Sequence, residues 1–224
     1  MSSRRHDMRN MESSQRDENQ RLSRRRRGFS LIELVVVVTI LLIVTAYAAP
    51  NFINMIRTSR LRGSASDFGG VAQLDRLRSV QDGQYYSVKF AGNQAYVDVN
   101  NNGLLDPTEP SITLSEEVAP VSAASAPNTA NLRNQFLPAG STLVPSDGGP
   151  TSGTPITFSS RGLPCKRQIV NGFAGASVCD SAGGATAFYV FFRDTITGQY
   201  EAVTVTPAGR IRKWFYMNGA WAGI

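Results

Sequence analysis

Histidine is nearly missing from these 224 residues: the single one, His6, lies in an arginine-rich N-terminal stretch. A Ser-His-Asp or Cys-His nucleophile system in the body of the chain is therefore excluded, as is a histidine-containing zinc site there. Carboxylate chemistry is not excluded by this. Charge is missing where it matters most, since no Asp, Glu, Lys or Arg occurs from Leu34 to Ile56. About 20 apolar residues at a rise of about 1.5 Å each span a bilayer core. No internal repeat is visible. Cysteine is scarce, with only Cys165 and Cys179.

What stands before the apolar run orients it. Arg24 to Arg27, with Arg4, Arg5, Arg9, Arg16 and Arg21 further out, form a cluster that the positive-inside rule keeps cytoplasmic. The body of the chain therefore faces outward. In that setting the two cysteines, with 13 residues between them, read as an oxidised pair closing one loop, worth about 3 kcal/mol in the chain-entropy picture. One carboxylate, Glu33, sits at the head of the run, where burial in hydrocarbon costs several kcal/mol and calls for a partner. A secretory signal peptide is the competing reading, because Ala46-Tyr47-Ala48 has the small-x-small form of a peptidase site. Against it stand the 27 residues before Gly28, the acidic Glu33, and helical patterning that continues past Pro50.

Arg27-Gly28-Phe29-Ser30-Leu31-Ile32-Glu33-Leu34, followed by the membrane-length run and Pro50, resembles the class III signal of type IV pilins and type II secretion pseudopilins. The resemblance implies cleavage by a prepilin peptidase between Gly28 and Phe29 and methylation of the new N-terminal Phe29. It also implies that Glu33 pairs with the Phe29 amine of its own or a neighbouring subunit, setting register in a filament. Removal of a 1–28 leader would change the charge picture. The full chain carries +6, but nine of the 23 basic and four of the 17 acidic residues precede Phe29, leaving 14 against 13. The high isoelectric point is then a topology signal and poor support for a nucleic-acid partner. The leader's charge-dense composition reads as disordered.

Four segments follow: a leader at 1–28, a transmembrane and assembly helix at 29–56, an amphipathic continuation at 57–82, and a β-rich domain at 83–224. In the second helical stretch Leu61, Ala65, Phe68, Ala72, Leu74 and Leu77 keep helical spacing, while Arg57, Arg60, Arg62, Asp67, Asp75, Arg76 and Arg78 supply polar faces. Gly83 offers a C-terminal cap. Beyond it the period falls to two, in short runs at 85–90, 94–99, 112–114, 156–159, 187–193, 200–206 and 210–217. Thr197-Gly198 and Pro207-Ala208-Gly209 read as hairpin turns. Ala-, Ser-, Pro- and Gly-rich residues 118–155 read as a long, partly mobile surface loop. The fold class is α+β: a long N-terminal helix packed against a C-terminal antiparallel β domain.

The order of the helix from Asn51 to Arg78, the Val97–Gly103 loop, the Ile156–Gly162 strand and turn, and the terminal Gly209-Arg210-Ile211-Arg212 resembles the GspH/FimT branch of minor pilins. That branch implies a non-enzymatic subunit at or near the tip of a type II secretion pseudopilus or type IV pilus, with no required cofactor. Its partners would be other pilin or pseudopilin subunits, prepilin peptidase, the inner-membrane assembly platform and membrane lipid. The expected location is single-pass in a bacterial inner membrane, N-terminus cytoplasmic and β domain periplasmic.

Two further site patterns are present. Asp98, Asn100, Asn102, Leu104, Asp106 and Glu109, with Gly103 at position six, fit the twelve-position calcium loop, Leu104 through its carbonyl. The alternative is a polar turn, because Asn, Asp and Gly favour tight turns for their own conformational reasons. Arg210, Arg212, Trp214 and Tyr216 share one face of the last long strand by alternation, with Lys213 beside them. Cations among aromatics suit a phosphate backbone and stacked bases. In the FimT group a terminal Gly-Arg-x-Arg is linked to DNA capture, so the resemblance implies DNA as a possible partner at Arg210 and Arg212. The alternative there is a half-exposed strand whose aromatics cover a core.

Overall fold

The computed structural model describes residues 28–150, 153–169, 177–179 and 186–224. The leader upstream of Gly28, with His6 and its arginines, lies outside the described residues. The chain divides into residues 1–51 and a compact unit from Phe52 to Ile224.

Helix α1 runs from Leu31 to Asp82 and continues through Pro50. Its front half is apolar on every side and exposed. It is long and apolar enough to cross a membrane. Polar side chains in this stretch turn back on the helix: Thr39 Oγ1 donates to the Val35 carbonyl at 2.8 Å and Thr45 Oγ1 to Leu41 at 2.6 Å. The helix stops at the expected glycine. Gly83 takes φ +65°, a left-handed conformation open to glycine at little cost, and Gln84 N donates to the Ser79 carbonyl at 3.2 Å.

Antiparallel sheets follow. Strands β1 (Tyr86–Ala91), β2 (Gln94–Asp98), β3 (Ser111–Thr113), β6 (Ile156–Phe158) and β7 (Pro164–Cys165) form one sheet in the order β3-β2-β1-β6-β7. The second sheet has the order β13-β12-β11-β10-β4, from β4 (Val118–Val121), β10 (Phe188–Asp194), β11 (Tyr200–Val205), β12 (Ile211–Met217) and β13 (Ala220–Gly223). A short β5 (Ser146–Asp147) adds parallel to β10. Strands β8 (Arg167–Ile169) and β9 (Ser177–Cys179) pair as a separate hairpin, with Arg167 opposite Cys179.

The first core lies between the back half of α1 and both sheets. Leu61, Ala65, Phe68, Val71 and Ala72 meet Val88, Val97, Ile156, Phe158, Val190 and Val203 there, and Phe68 stacks on Phe90 at 5.3 Å. Burial of several such side chains, each worth about 1.5–3 kcal/mol, holds this part of the helix on the sheets. The stripe departs from the expected one at its C-terminal end. Leu74 and Leu77 are 36% and 51% exposed, whereas Asp75 and Ser79 are fully buried. A 3.6-residue period continued from Phe68 and Ala72 lands on Asp75 and Ser79, so geometry overrides polarity.

Residues 118–155 are not a structureless loop. They hold β4, a 3₁₀ turn (Ala123–Ser125), helix α2 (Thr129–Phe136) and β5. The cause is a second core on the far face of the second sheet, where Leu132, Phe136 and Leu137 cover Phe191, Ala202, Trp214 and Trp221. Consecutive aromatics in β10 alternate between the two cores, and a strand buried on both faces needs a layer on each. Helix α2 also closes the sheet edge: Asn131 Oδ1 accepts from Trp221 N at 3.0 Å, and Gln135 Nε2 donates to the Trp221 carbonyl at 2.7 Å. Edge groups left open would invite pairing with another chain.

Candidate functional site

The N-terminal signal residues sit at the start of α1. Phe29 is 78% exposed, and Leu34 N donates to the Ser30 carbonyl at 3.1 Å, opening the helix. Glu33 lies in the first turn, where the unpaired N–H groups and the helix dipole favour a negative charge. It makes no hydrogen bond or ion pair among the described residues. Its side chain is exposed.

Cys165 closes β7 and is disulfide-bonded. The sequence holds one other cysteine, Cys179, on β9.

The 98–109 loop brings its polar residues together in a network of hydrogen bonds. Asn102 N donates to Asn100 Oδ1 at 3.0 Å and Leu104 N to Asn102 Oδ1 at 2.7 Å. The side-chain amides of Asn100 and Asn102 both donate to Asp106 Oδ2, at 2.5 and 2.8 Å. Glu109 accepts from Val99 N at 2.9 Å through Oε1 and from Asp106 N at 3.2 Å through Oε2. Asp98 Oδ2 accepts from Gly103 N at 3.1 Å and from Lys89 Nζ at 2.6 Å. Among the described residues, no three His, Cys, Asp or Glu side chains form a group that could hold a metal.

The terminal basic residues divide between two faces. Arg210, exposed, and Arg212, half-buried, share one face of the β12 segment. Lys213 points to the other, where Nζ donates to Ser66 Oγ on α1 at 3.1 Å. An open groove of about 600 Å³ lies along this seam, lined by Ser66, Gly69, Arg210, Arg212 and Lys213 among others. Trp214 does not offer a stacking platform. It is 4% exposed, its Nε1 donates to Thr204 Oγ1 at 2.8 Å, and it belongs to the core beneath α2. Tyr216 packs on Trp221 at 5.2 Å between ring centres. The shared face predicted by alternation is real, but α2 covers its aromatic end.

Gly209, the first residue of the terminal motif, has a structural task. At φ +77° it ends a tight turn, and a Cβ there would stand 2.7 Å from the Gly162 carbonyl oxygen. Arg76 Nε donates to that same carbonyl at 2.9 Å, tying the turn to α1.

Glu201 and Asp75 are among the buried carboxyls that escaped the sequence reading. Glu201 on β11, 2% exposed, lies between Phe192 of β10 and Phe215 of β12 in register. Its Oε1 is 3.4 Å from Arg62 Nε on α1, and its Oε2 has no hydrogen-bond partner. Burial pushes the Glu201 carboxyl up to about 7, although the charges of Arg62 and Lys213 pull it down. Asp75, on the buried stripe of α1, has neither oxygen hydrogen-bonded. Burial, and then the charge of Asp98, hold its carboxyl well above the usual range and disfavour its ionised form. The alternation of Glu201 with Val203 and Val205 was a visible signal that it faces the first core.

Residues 23–49 match the family model of the prokaryotic N-terminal methylation motif. The motif is that of a pilin-like subunit. It spans Gly28, Phe29, Glu33 and most of the apolar half of α1, and it implies contact with other pilins and processing by a prepilin peptidase. A pilin-type signal marks a structural subunit of a pilus or pseudopilus. No curated protein and no solved structure matches the chain.

Proposed function

We propose that this pilin-like chain is a minor pseudopilin or pilin of the GspH/FimT kind, acting at or near the tip of a type II secretion pseudopilus or type IV pilus. The observation that carries the reading is the methylation motif at 23–49, in register with a membrane-length helix that continues into a β domain. The precursor sits single-pass in the inner membrane, N-terminus cytoplasmic. Prepilin peptidase cuts after Gly28 and methylates Phe29, and the inner-membrane platform then loads the subunit. In the filament the exposed apolar half of α1 leaves lipid for the helices of neighbouring subunits, where an unpaired Glu33 would be strongly destabilising. Pairing with a Phe29 amine removes that penalty and sets register. The β domain makes the contacts particular to this subunit.

Mass spectrometry of the protein purified from its native membrane tests this. The expected result is an N-terminus at Phe29 bearing one methyl group. A mature N-terminus after Ala48 refutes it in favour of a secreted protein. In a processed background, Glu33→Ala is expected to leave insertion and cleavage intact and to abolish incorporation into filaments; normal incorporation counts against the pairing.

A second reading, capture of DNA, is favoured by the placement of Arg210 and Arg212 on the groove beside α1. With Trp214 buried, binding rests on phosphate contacts and is steeply salt-dependent. Binding that weakens with salt and disappears in Arg210→Ala with Arg212→Ala is the expected outcome, and absent or salt-insensitive binding refutes it. A calcium role for the 98–109 loop has less support, because its oxygens already accept hydrogen bonds from within the loop.

A further inference from the structure

The 98–109 loop keeps the spacing of a calcium loop, yet a cation of its own chain is already seated in it. Lys89 lies on β1, opposite Tyr96 in the β1–β2 register, so its side chain rises on the sheet face away from α1 together with Asp98. Its ammonium is 2.6 Å from Asp98 Oδ2, the oxygen that also accepts from Gly103 N. Asp98 is completely buried, and its Oδ1 has no hydrogen-bond partner. A buried carboxylate in that state needs a compensating charge, and among the described residues Lys89 is the cation that reaches it.

Gly103 makes room for that ammonium. At φ +81° it occupies position six of the pattern, and a Cβ there would stand 3.3 Å from Lys89 Nζ. Tyr96, on the same face, donates its hydroxyl to the Gly103 carbonyl at 3.0 Å and fixes the turn over the lysine. The remaining candidate ligands are engaged within the loop. Both Glu109 oxygens accept backbone N–H groups, and Asp106 Oδ2 accepts two side-chain amides. The site is not sealed: Lys89 and Gly103 border a cavity of about 210 Å³.

We propose that Lys89 is the resident cation of the 98–109 loop, its ammonium holding Asp98 and the Gly103 turn as a divalent ion would and keeping such an ion out. The proposal is independent of what the subunit assembles with or binds. Removing the ammonium exposes the buried charge of Asp98 to the same loop oxygens, and calcium then becomes the available counter-ion at the millimolar level typical of weak extracellular sites.

The test is thermal unfolding of the full chain in detergent, stripped with chelator and then titrated to about 5 mM calcium chloride. The wild type is expected to show the same midpoint with and without calcium. Lys89→Met is expected to unfold at lower temperature and to recover with calcium. Lys89→Met in an Asp98→Asn background is expected to lower the midpoint far less than in the wild type, since the charge needing compensation is gone. Stabilisation of the wild type by calcium overturns the proposal. So does a Met variant indifferent to calcium, or one whose loss is as large beside Asp98→Asn. If Lys89→Met alone fails to accumulate folded, the wild-type titration and a comparison of Asp98→Asn with the double variant still decide the matter.

Discussion

Replacing Glu201 with glutamine removes a titrating group from the seam between α1 and the second sheet while keeping its shape. The folded-state value of about 7 against an ordinary 4.5 disfavours the ionised form in the native protein. The sign follows directly. Below the unfolded value both states hold the proton and nothing is lost; between about pH 4.5 and 7 only the unfolded state ionises, and stability falls steadily. Above pH 7 the loss is complete, and at 1.36 kcal/mol per pH unit it amounts to about 3 kcal/mol. No discount for solvent is due on Glu201, which is 2% exposed, although Arg62 across from it is 56% exposed and pairs weakly. Glu201→Gln is thus expected to match the wild type near pH 4 and to exceed it by up to about 3 kcal/mol at pH 8, a rise of about 6–12 °C in midpoint for a domain of this size. Denaturant titrations of both proteins at intervals across that range measure it. Asp75 titrates in both, so the difference between the two profiles isolates Glu201. Parallel profiles would refute the argument, and so would a glutamine variant less stable at pH 8, which would mean the Arg62 contact outweighs the burial.

Asp75→Asn is expected to flatten the loss of stability that comes with rising pH, because burial and the charge of Asp98 raise the carboxyl above its ordinary range and ionising it costs the folded state; calorimetric melting of both proteins from about pH 4 to 9 checks it, and parallel profiles refute it. Gly209→Ala is expected to destabilise by about 1–3 kcal/mol, from the left-handed φ and the approach to the Gly162 carbonyl, as read by urea unfolding. Arg210→Ala with Arg212→Ala is expected to leave the midpoint within about 0.5 kcal/mol of the wild type, whereas Trp214→Ala costs about 3–5 kcal/mol.

Much of the architecture was legible before any coordinates. The uncharged run to Ile56 and Gly83 at the far end delimit α1, and the period-two segments fall on β1, β2, β6, β10, β11 and β12. The misreadings share one cause, that a local pattern cannot say what lies opposite. Residues 118–155 have the composition of a loop, and they fold because the second sheet has a far face to cover. Leu74 and Asp75 exchange their expected environments because the turn of the helix, and not residue polarity, decides which side meets the sheets. Trp214 resembles a stacking residue on a strand read alone, and α2 makes it core.

The linear sequence by itself determined what depends on neighbours along the chain. These are the signal around Gly28 and Phe29, the carboxylate of Glu33 at the head of a membrane-length helix, the helix stop at Gly83 and the turn chemistry of 98–109. Tertiary structure alone decided which charges stand together: Lys89 on Asp98, Arg62 on Glu201, and Asp75 near Asp98 with no hydrogen-bond partner among the described residues. Burial and Coulomb energy act between groups that are close in space, so a carboxylate's partner, and with it its protonation, is set only when the sheets and helix have come together.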